Sequence, residues 1–148
     1  MRIKKPGYVA PIISGAHATV TNQSIPTATD TKFNWDTKWW DYNEEMDIVT
    51  NNKFTVKQAG LYIVCLRGLG TALGDNVMAR TWILRNGSDS EALEAGQIGS
   101  ATDNCSQELT WIGRLDIGDY IEGFYKHYAG ANKNVNGQIT IALFYPTY

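Results

Sequence analysis

Hydrophobic and polar positions alternate with a period of two over much of the chain. Lys53-Phe54-Thr55-Val56 and Glu108-Leu109-Thr110-Trp111-Ile112 switch character from residue to residue, the pattern of a strand with one buried face. The stretch 138–145 does the same: Ile139, Ile141 and Leu143 share one face, and Thr140, Ala142 and Phe144 share the other. Shorter strands are predicted at 16–20, 32–35 and 80–85. The run Gly60-Leu61-Tyr62-Ile63-Val64-Cys65-Leu66 is continuously apolar, too short for a stand-alone helix, and bounded by Gly60, Gly68 and Gly70. It predicts a strand buried on both faces. Asn86-Gly87 predicts a tight hairpin, and Asn136-Gly137 a second turn that opens the last strand. Residues 115–119 read as a turn into Tyr120-Ile121, and 36–52 as a long connection rich in Trp and Asp. Residues 88–96 contain helix formers but no sustained apolar stripe, so no helix is predicted. Many short strands with regular turn signals predict an all-β sandwich or jelly roll.

Composition narrows the class. A chain of 148 residues suits one domain. At this length about 70% of the unfolded surface is buried, so a core forms without disulfide or metal. With 43% hydrophobic and 19% charged residues, the sequence is not that of a disordered chain. A net charge of −2 argues against nucleic acid as partner, which needs a concentrated basic face. The charge is uneven: Arg2, Lys4 and Lys5 lie in residues 1–15 with no acid, leaving ten of the 13 basic residues against all 15 acidic ones in the remainder. Pro6 and Pro11 impose extended geometry, and Gly7 and Gly15 break any helix. The expectation is a basic, extended N-terminal arm over 1–15 and a β domain over 16–148. No stretch reaches the ~18 apolar residues that span a membrane, and residues 1–15 hold no apolar run of signal-peptide length. Cys65 and Cys105 lie in strand-like segments without a CxxC motif; buried free thiols are the preferred reading, a disulfide the alternative.

Four pieces, in order, resemble the C1q-like domains. Phe54-Thr55-Val56-Lys57-Gln58-Ala59-Gly60-Leu61-Tyr62 is similar to their F-T-V-x-x-A-G-x-Y stretch. Trp35-Asp36-Thr37 followed by Asp41 resembles the aromatic-Asp-Thr approach of bacterial and phage versions. Leu115, Gly118, Asp119 and Ile121 match an L-x-x-G-D-x-[IV] turn, and residues 137–144 stand where the family has its last strand. The resemblance covers about residues 16–145. Val64 replaces a frequent second aromatic, and no collagen-like stalk is present. The resemblance implies a jelly-roll β-sandwich of about ten strands, a homotrimer, and a binding or scaffolding role without catalysis.

Candidate sites follow from residue chemistry. His17 and His127 are the only histidines, and no GxSxG, HExxH or phosphate-cradling loop is present, so no enzyme is expected. Gly68, Gly70 and Gly74 follow a strand without opening a helix and read as a loop. Asp36, Asp41, Glu44, Glu45 and Asp47 share one connection. Carboxylates with loop carbonyls are what Ca²⁺ takes, and Asp36, Asp41 and Asp47 are the calcium candidates. The spacing lacks the glycine of an EF-hand, and a solvated acidic loop without metal or cofactor is the preferred reading. Trp39-Trp40 with Tyr42 is a candidate contact for a partner or glycan, since adjacent indoles do not readily enter one core. Packing beneath their own loop is the alternative. Trp82 and Trp111 read as core. The sequons at Asn22, Asn86 and Asn104 read as chance occurrences.

The expected function is that of a viral structural protein: a bacteriophage capsid decoration or cement protein on the virion exterior, homotrimeric, with Arg2, Lys4, Lys5 and Tyr8 gripping an acidic surface of the major capsid protein or another virion protein. The alternatives are a receptor-binding head of a tail fibre or bacterial appendage, and a secreted C1q-like lectin or signalling module. No membrane partner is expected.

Overall fold

The computed structural model describes residues 13–99 and 104–146, with the backbone alone for 89–99. Strands make up all its regular structure: β1 (Gly15–Ile25), β2 (Thr31–Lys32), β3 (Thr37–Asp41), β4 (Met46–Asp47), β5 (Lys53–Thr55), β6 (Gly60–Gly70), β7 (Val77–Arg85), β8 (Ser88–Gly99), β9 (Cys105–Leu115), β10 (Tyr120–His127) and β11 (Lys133–Pro146). A five-stranded sheet has the order β3-β1-β11-β6-β9, and a second sheet has the order β4-β5-β10-β7-β8 with β2 beside β10. The chain crosses repeatedly between the two layers, and every pairing is antiparallel. The fold is an all-β jelly-roll sandwich.

The core is made by the alternation seen in the sequence. Tyr62, Val64 and Leu66 of β6, Ile139 and Ile141 of β11, and Ala16, Ala18 and Val20 of β1 point inward from the first sheet. Phe54, Ile121, Tyr125 and Ile83 meet them from the second. Phe33 and Trp35 are buried where residues 33–36 cross from β10 to β1, with the Phe33 amide on the Gly123 carbonyl and the Asp36 amide on the Thr19 carbonyl.

Several expectations are corrected. The strand expected at 32–35 is limited to β2, because the crossing takes residues 33–36 out of both ladders. The connection at 36–52 contains β3 and β4. Asn136-Gly137 is no turn: it runs inside β11, and Gly137 is needed where a Cβ would stand 2.6 Å from the Phe33 ring. Residues 88–96 belong to β8. Asn86 and Gly87 do form the hairpin turn, with φ of 54° and 68°. Trp82 is buried on the outer side of the second sheet, where it stacks on Phe124 with ring centroids 5.5 Å apart.

The expectation for β6 changes most. Its inner residues are covered, but Leu61, Ile63 and Leu69 are half-exposed on the outer face, and Cys65 and Arg67 are exposed there. The sandwich covers one side of this apolar strand only.

Candidate interaction face

The outer face of the five-stranded sheet gathers side chains from β3, β1, β11, β6 and β9 in register rows. One row reads Trp40, His17, Thr140, Cys65, Thr110. On one side of it, Ala142, Ile63 and Ile112 align, followed by Tyr145 beside Leu61. On the other side, Thr19, Gln138, Arg67 and Glu108 align. The face thus has an apolar half and a polar half. Ile112 is 59% exposed, Phe144 68% and Tyr145 65%. A register shift between Leu143 and Tyr145 makes Phe144 the extra residue, so two consecutive aromatics project from the end of β11.

The same device explains Trp39-Trp40. A register shift in the β1–β3 pairing lets His17 oppose Trp40 and Ala18 oppose Lys38, with Trp39 as the inserted residue. Both indoles therefore reach the outer face. Trp39 is 66% exposed and donates its Nε1–H to Thr19 Oγ1 at 3.2 Å. Trp40 stacks on His17 at 6.1 Å and lies 5.1 Å from the ring of Tyr42, which is also exposed. Burial pushes the His17 imidazole below its ordinary range, and its Nδ1 lies 2.8 Å from Thr140 Oγ1. The structure brings the predicted trio Trp39, Trp40 and Tyr42 together on one edge of this face.

Two shallow troughs of about 240 and 250 Å³ run side by side across the polar half and share Arg67 and Gln138. Thr19, Thr21 and Asn136 line the first, and Cys65, Glu108, Thr110 and Thr140 the second. The Arg67 Nε–H donates to Ser106 Oγ at 3.0 Å and lies 3.2 Å from a Glu108 carboxylate oxygen.

The three calcium candidates are engaged separately. Asp36 accepts from the Thr21 amide and the Thr37 hydroxyl. Asp41 accepts from the Glu45 and Met46 amides and from Lys38 Nζ. Its burial alone would raise its pKa, but these donors outweigh burial and hold it below the ordinary value. Asp47 accepts from the amides of Val49, Thr50 and Asn51 and from the Asn51 side chain, and these bonds, the Thr50 and Val49 amides first, bring its pKa to about 2. Among the described residues no group of three or more His, Cys, Asp or Glu side chains is placed to hold a metal ion.

Cys65 and Cys105 are free, the first exposed on the outer face and the second buried toward the core, so the sheet separates them. Arg2, Lys4, Lys5 and Tyr8 lie outside the described residues. β1 begins at Gly15, and Ser14 is already buried. Leu61, Ile63, Ile112, Phe144 and Tyr145 were not singled out as a site from sequence. The available signals were the continuous apolar run at 60–66 and the adjacent aromatics Phe144-Tyr145.

No family model matches the sequence, and no match was found among curated proteins. Solved structures do match. The globular domain of zebrafish complement 1qA protein superposes with a TM-score of 0.69 at 15% identity, over 90% of this chain and 99% of that one. Eiger TNF from S. frugiperda gives 0.62 at 12% identity, over 92% and 95% of the two chains. Murine APRIL at pH 5.0 gives 0.58 at 14% identity, over 86% and 98%. The two-sheet topology and these superpositions agree: the chain is a jelly roll of the C1q/TNF-like fold.

Proposed function

We propose that this chain is a non-catalytic, self-associating structural module whose outer five-stranded face closes against further copies to give a homotrimer. One observation carries the reading. β6 has the composition of a strand covered on both sides, yet the single chain covers only one side and leaves the apolar half of the face open. A second copy supplies the missing cover with no other partner required. The trimeric assembly implied by the C1q-like resemblance supports the same reading.

The finer proposal is a virion-surface role as a capsid decoration subunit. A trimer would present three sets of Arg2, Lys4, Lys5 and Tyr8 to an acidic capsid surface, and linked weak contacts add to high avidity. A receptor-binding module is the second reading. It is favoured by the exposed Trp39 beside the Thr19, Gln138 and Arg67 troughs, an indole next to hydroxyl, amide and guanidinium groups that suits a glycan.

Light scattering on the full chain tests the assembly. The expected mass is three times the 16.5 kDa of one chain, falling to one chain for Ile112→Asp combined with Phe144→Asp. A monomeric full chain with native circular dichroism would overturn it. Capsid binding by the full chain, lost on deletion of residues 1–12 with the mass per particle unchanged, supports the decoration role. Retained binding to cells or glycans after that deletion supports the receptor role.

A further inference from the structure

His127 is fully buried at the end of β10, against the loops 26–30 and 128–132. Its Nε2 lies 3.0 Å from the Ile25 carbonyl oxygen, which only accepts, so Nε2 carries the proton. Its Nδ1 accepts the Ala129 amide N–H at 3.2 Å, so Nδ1 carries a lone pair. Both ring nitrogens are satisfied only in this one neutral tautomer. A second proton on Nδ1 would set N–H against N–H and remove the bond to Ala129. The Nε2 bond to Ile25 would survive, as would the bond from the Ala28 amide to the His127 carbonyl at 2.7 Å. The loss therefore falls on one side, on loop 128–132. The other holds on that loop are the Tyr128 amide on the Met78 carbonyl at 3.1 Å, at its very start, and beyond Ala129 the Gly130 amide on Thr27 Oγ1 at 3.1 Å, at a glycine with φ of 74°.

The surroundings do not compensate a charged imidazole. Lys133 on β11 repels it, and Tyr125 on β10 lies against it with ring centroids 6.3 Å apart. Lys126 of β10 engages Asp30 of the 26–30 loop at 2.8 Å, which ties that carboxylate to another cation. From β1 the ring meets the uncharged Ile25 carbonyl, and Ala79, the register partner of His127 on β7, carries no charge.

We propose that His127 is an acid-sensitive latch: protonation of Nδ1 frees loop 128–132 at this end of the sandwich while both sheets stay paired. Burial pushes the imidazole below histidine's ordinary 6.5, so the latch is shut at neutral pH and opens only as pH falls below that value.

Hydrogen–deuterium exchange on the full chain, at about pH 7.5 and about pH 5 and corrected for intrinsic rates, reads the latch. Peptides covering 128–132 are expected to gain about 10-fold in exchange at the lower pH, with 26–30 and the β6 and β11 ladders unchanged. His127→Gln, neutral at every pH, should abolish the response, and His17→Gln should keep it. The proposal is overturned if 128–132 exchanges alike at both pH values, if all strands loosen together, or if His127→Gln still responds. Should His127→Gln fail to fold, the wild-type chain decides by NMR. The Ala129 amide must shift with the same midpoint as the His127 ring, and a different midpoint overturns the latch.

Discussion

Ser14 Oγ lies 2.8 Å from each carboxylate oxygen of Glu45, and both residues are buried. The Glu45 carboxylate also accepts the amides of Gly15 and Lys57, at 3.1 and 2.9 Å. Tyr62 Oη stands 2.6 Å from Ser14 Oγ and donates to the Gln58 carbonyl at 2.6 Å. Burial first, and then the Glu45 charge, raise the Tyr62 phenol to about 12, so it stays a donor throughout the working pH range. These neutral donors fasten the start of β1 to the β3–β4 and β5–β6 connections.

Glu45→Ala should therefore cost about 3 kcal/mol in chemical denaturation, because it strands the Gly15 and Lys57 amides and removes the carboxylate bonds of Ser14. Tyr62→Phe keeps the packing and loses the hydroxyl bonds, so about 1–2 kcal/mol is expected. If Glu45→Ala denatured at the same midpoint as wild type, this network would not be what secures β1.

Trp39 and Trp40 should separate assembly from stability. Trp39 is mostly exposed in the single chain, so Trp39→Ala should leave the denaturation midpoint of a dilute chain within about 0.5 kcal/mol. On the proposed interface its loss should weaken self-association by about 2 kcal/mol, roughly 30-fold per contact, in sedimentation equilibrium. Trp40→Ala removes the stack on His17 and Tyr42 and should lower the stability of the chain itself by about 1 kcal/mol. Equal effects of the two variants in both assays would refute the division.

The strands were legible in the sequence wherever one face is covered, because period-two alternation reports that directly, as at 138–145. The continuous run at 60–66 showed that both faces of β6 are apolar, but not that the chain itself leaves the outer one uncovered. Trp39-Trp40 was legible as a pair that does not enter one core. The bulge that turns both indoles outward depends on pairing with β1 and leaves no local mark. Asn136-Gly137 misled for the opposite reason: the dipeptide is a turn signal, but Gly137 serves the close approach of the Phe33 ring from a distant part of the chain. The buried Glu45 network was hidden in an apparently solvated acidic connection, since its donors are backbone amides that any sequence carries.

The two thiols provide a direct reading of the faces. Cys65 is exposed and Cys105 buried, so a maleimide should label Cys65 of the dilute chain first and Cys105 only with unfolding. On assembly through the outer face Cys65 should become protected, and labelling should fall with rising protein concentration. Concentration-independent labelling of Cys65 in a chain of trimeric mass would place the interface elsewhere.

Gly137→Ala puts a methyl group 2.6 Å from the Phe33 ring, which is fully buried and has no space to retreat. Overpacking of this kind costs about 1–3 kcal/mol. Gly118→Ala meets nothing within 4 Å, and its cost should be the smaller one, about 1 kcal/mol, of a left-handed φ of 92°. A thermal melt that ranked Gly118→Ala below Gly137→Ala would contradict the packing argument.

Acid stability should draw on Asp119, alongside Asp41 and Asp47, in a carboxylate window and on His127, alongside His17, in a histidine window. Burial alone would raise Asp119, but the Asn86 side chain, the Asp116 amide and Arg85 outweigh it and hold the carboxyl below its ordinary 3.8. The folded chain thus binds this proton less readily than the unfolded chain. The stabilisation from Asp119 is complete above 3.8 and is lost as pH falls through the lower folded value. His127 is also held low in the folded state, so its contribution is complete above 6.5 and declines as pH falls from there toward its folded value. Urea midpoints measured from about pH 7.5 to about pH 2.5 should therefore fall in two separate windows. Asp119→Asn should shrink the lower window alone and His127→Gln the upper one alone. Because Arg85 meets Asp119 at 2.7 Å, the asparagine variant also lacks this ion pair, which lowers its curve wherever the wild-type carboxylate is charged. The diagnostic is consequently the difference between the two curves. It should narrow below 3.8 as the wild-type carboxylate takes up its proton, and a difference that stays constant there would remove Asp119 from the acid response.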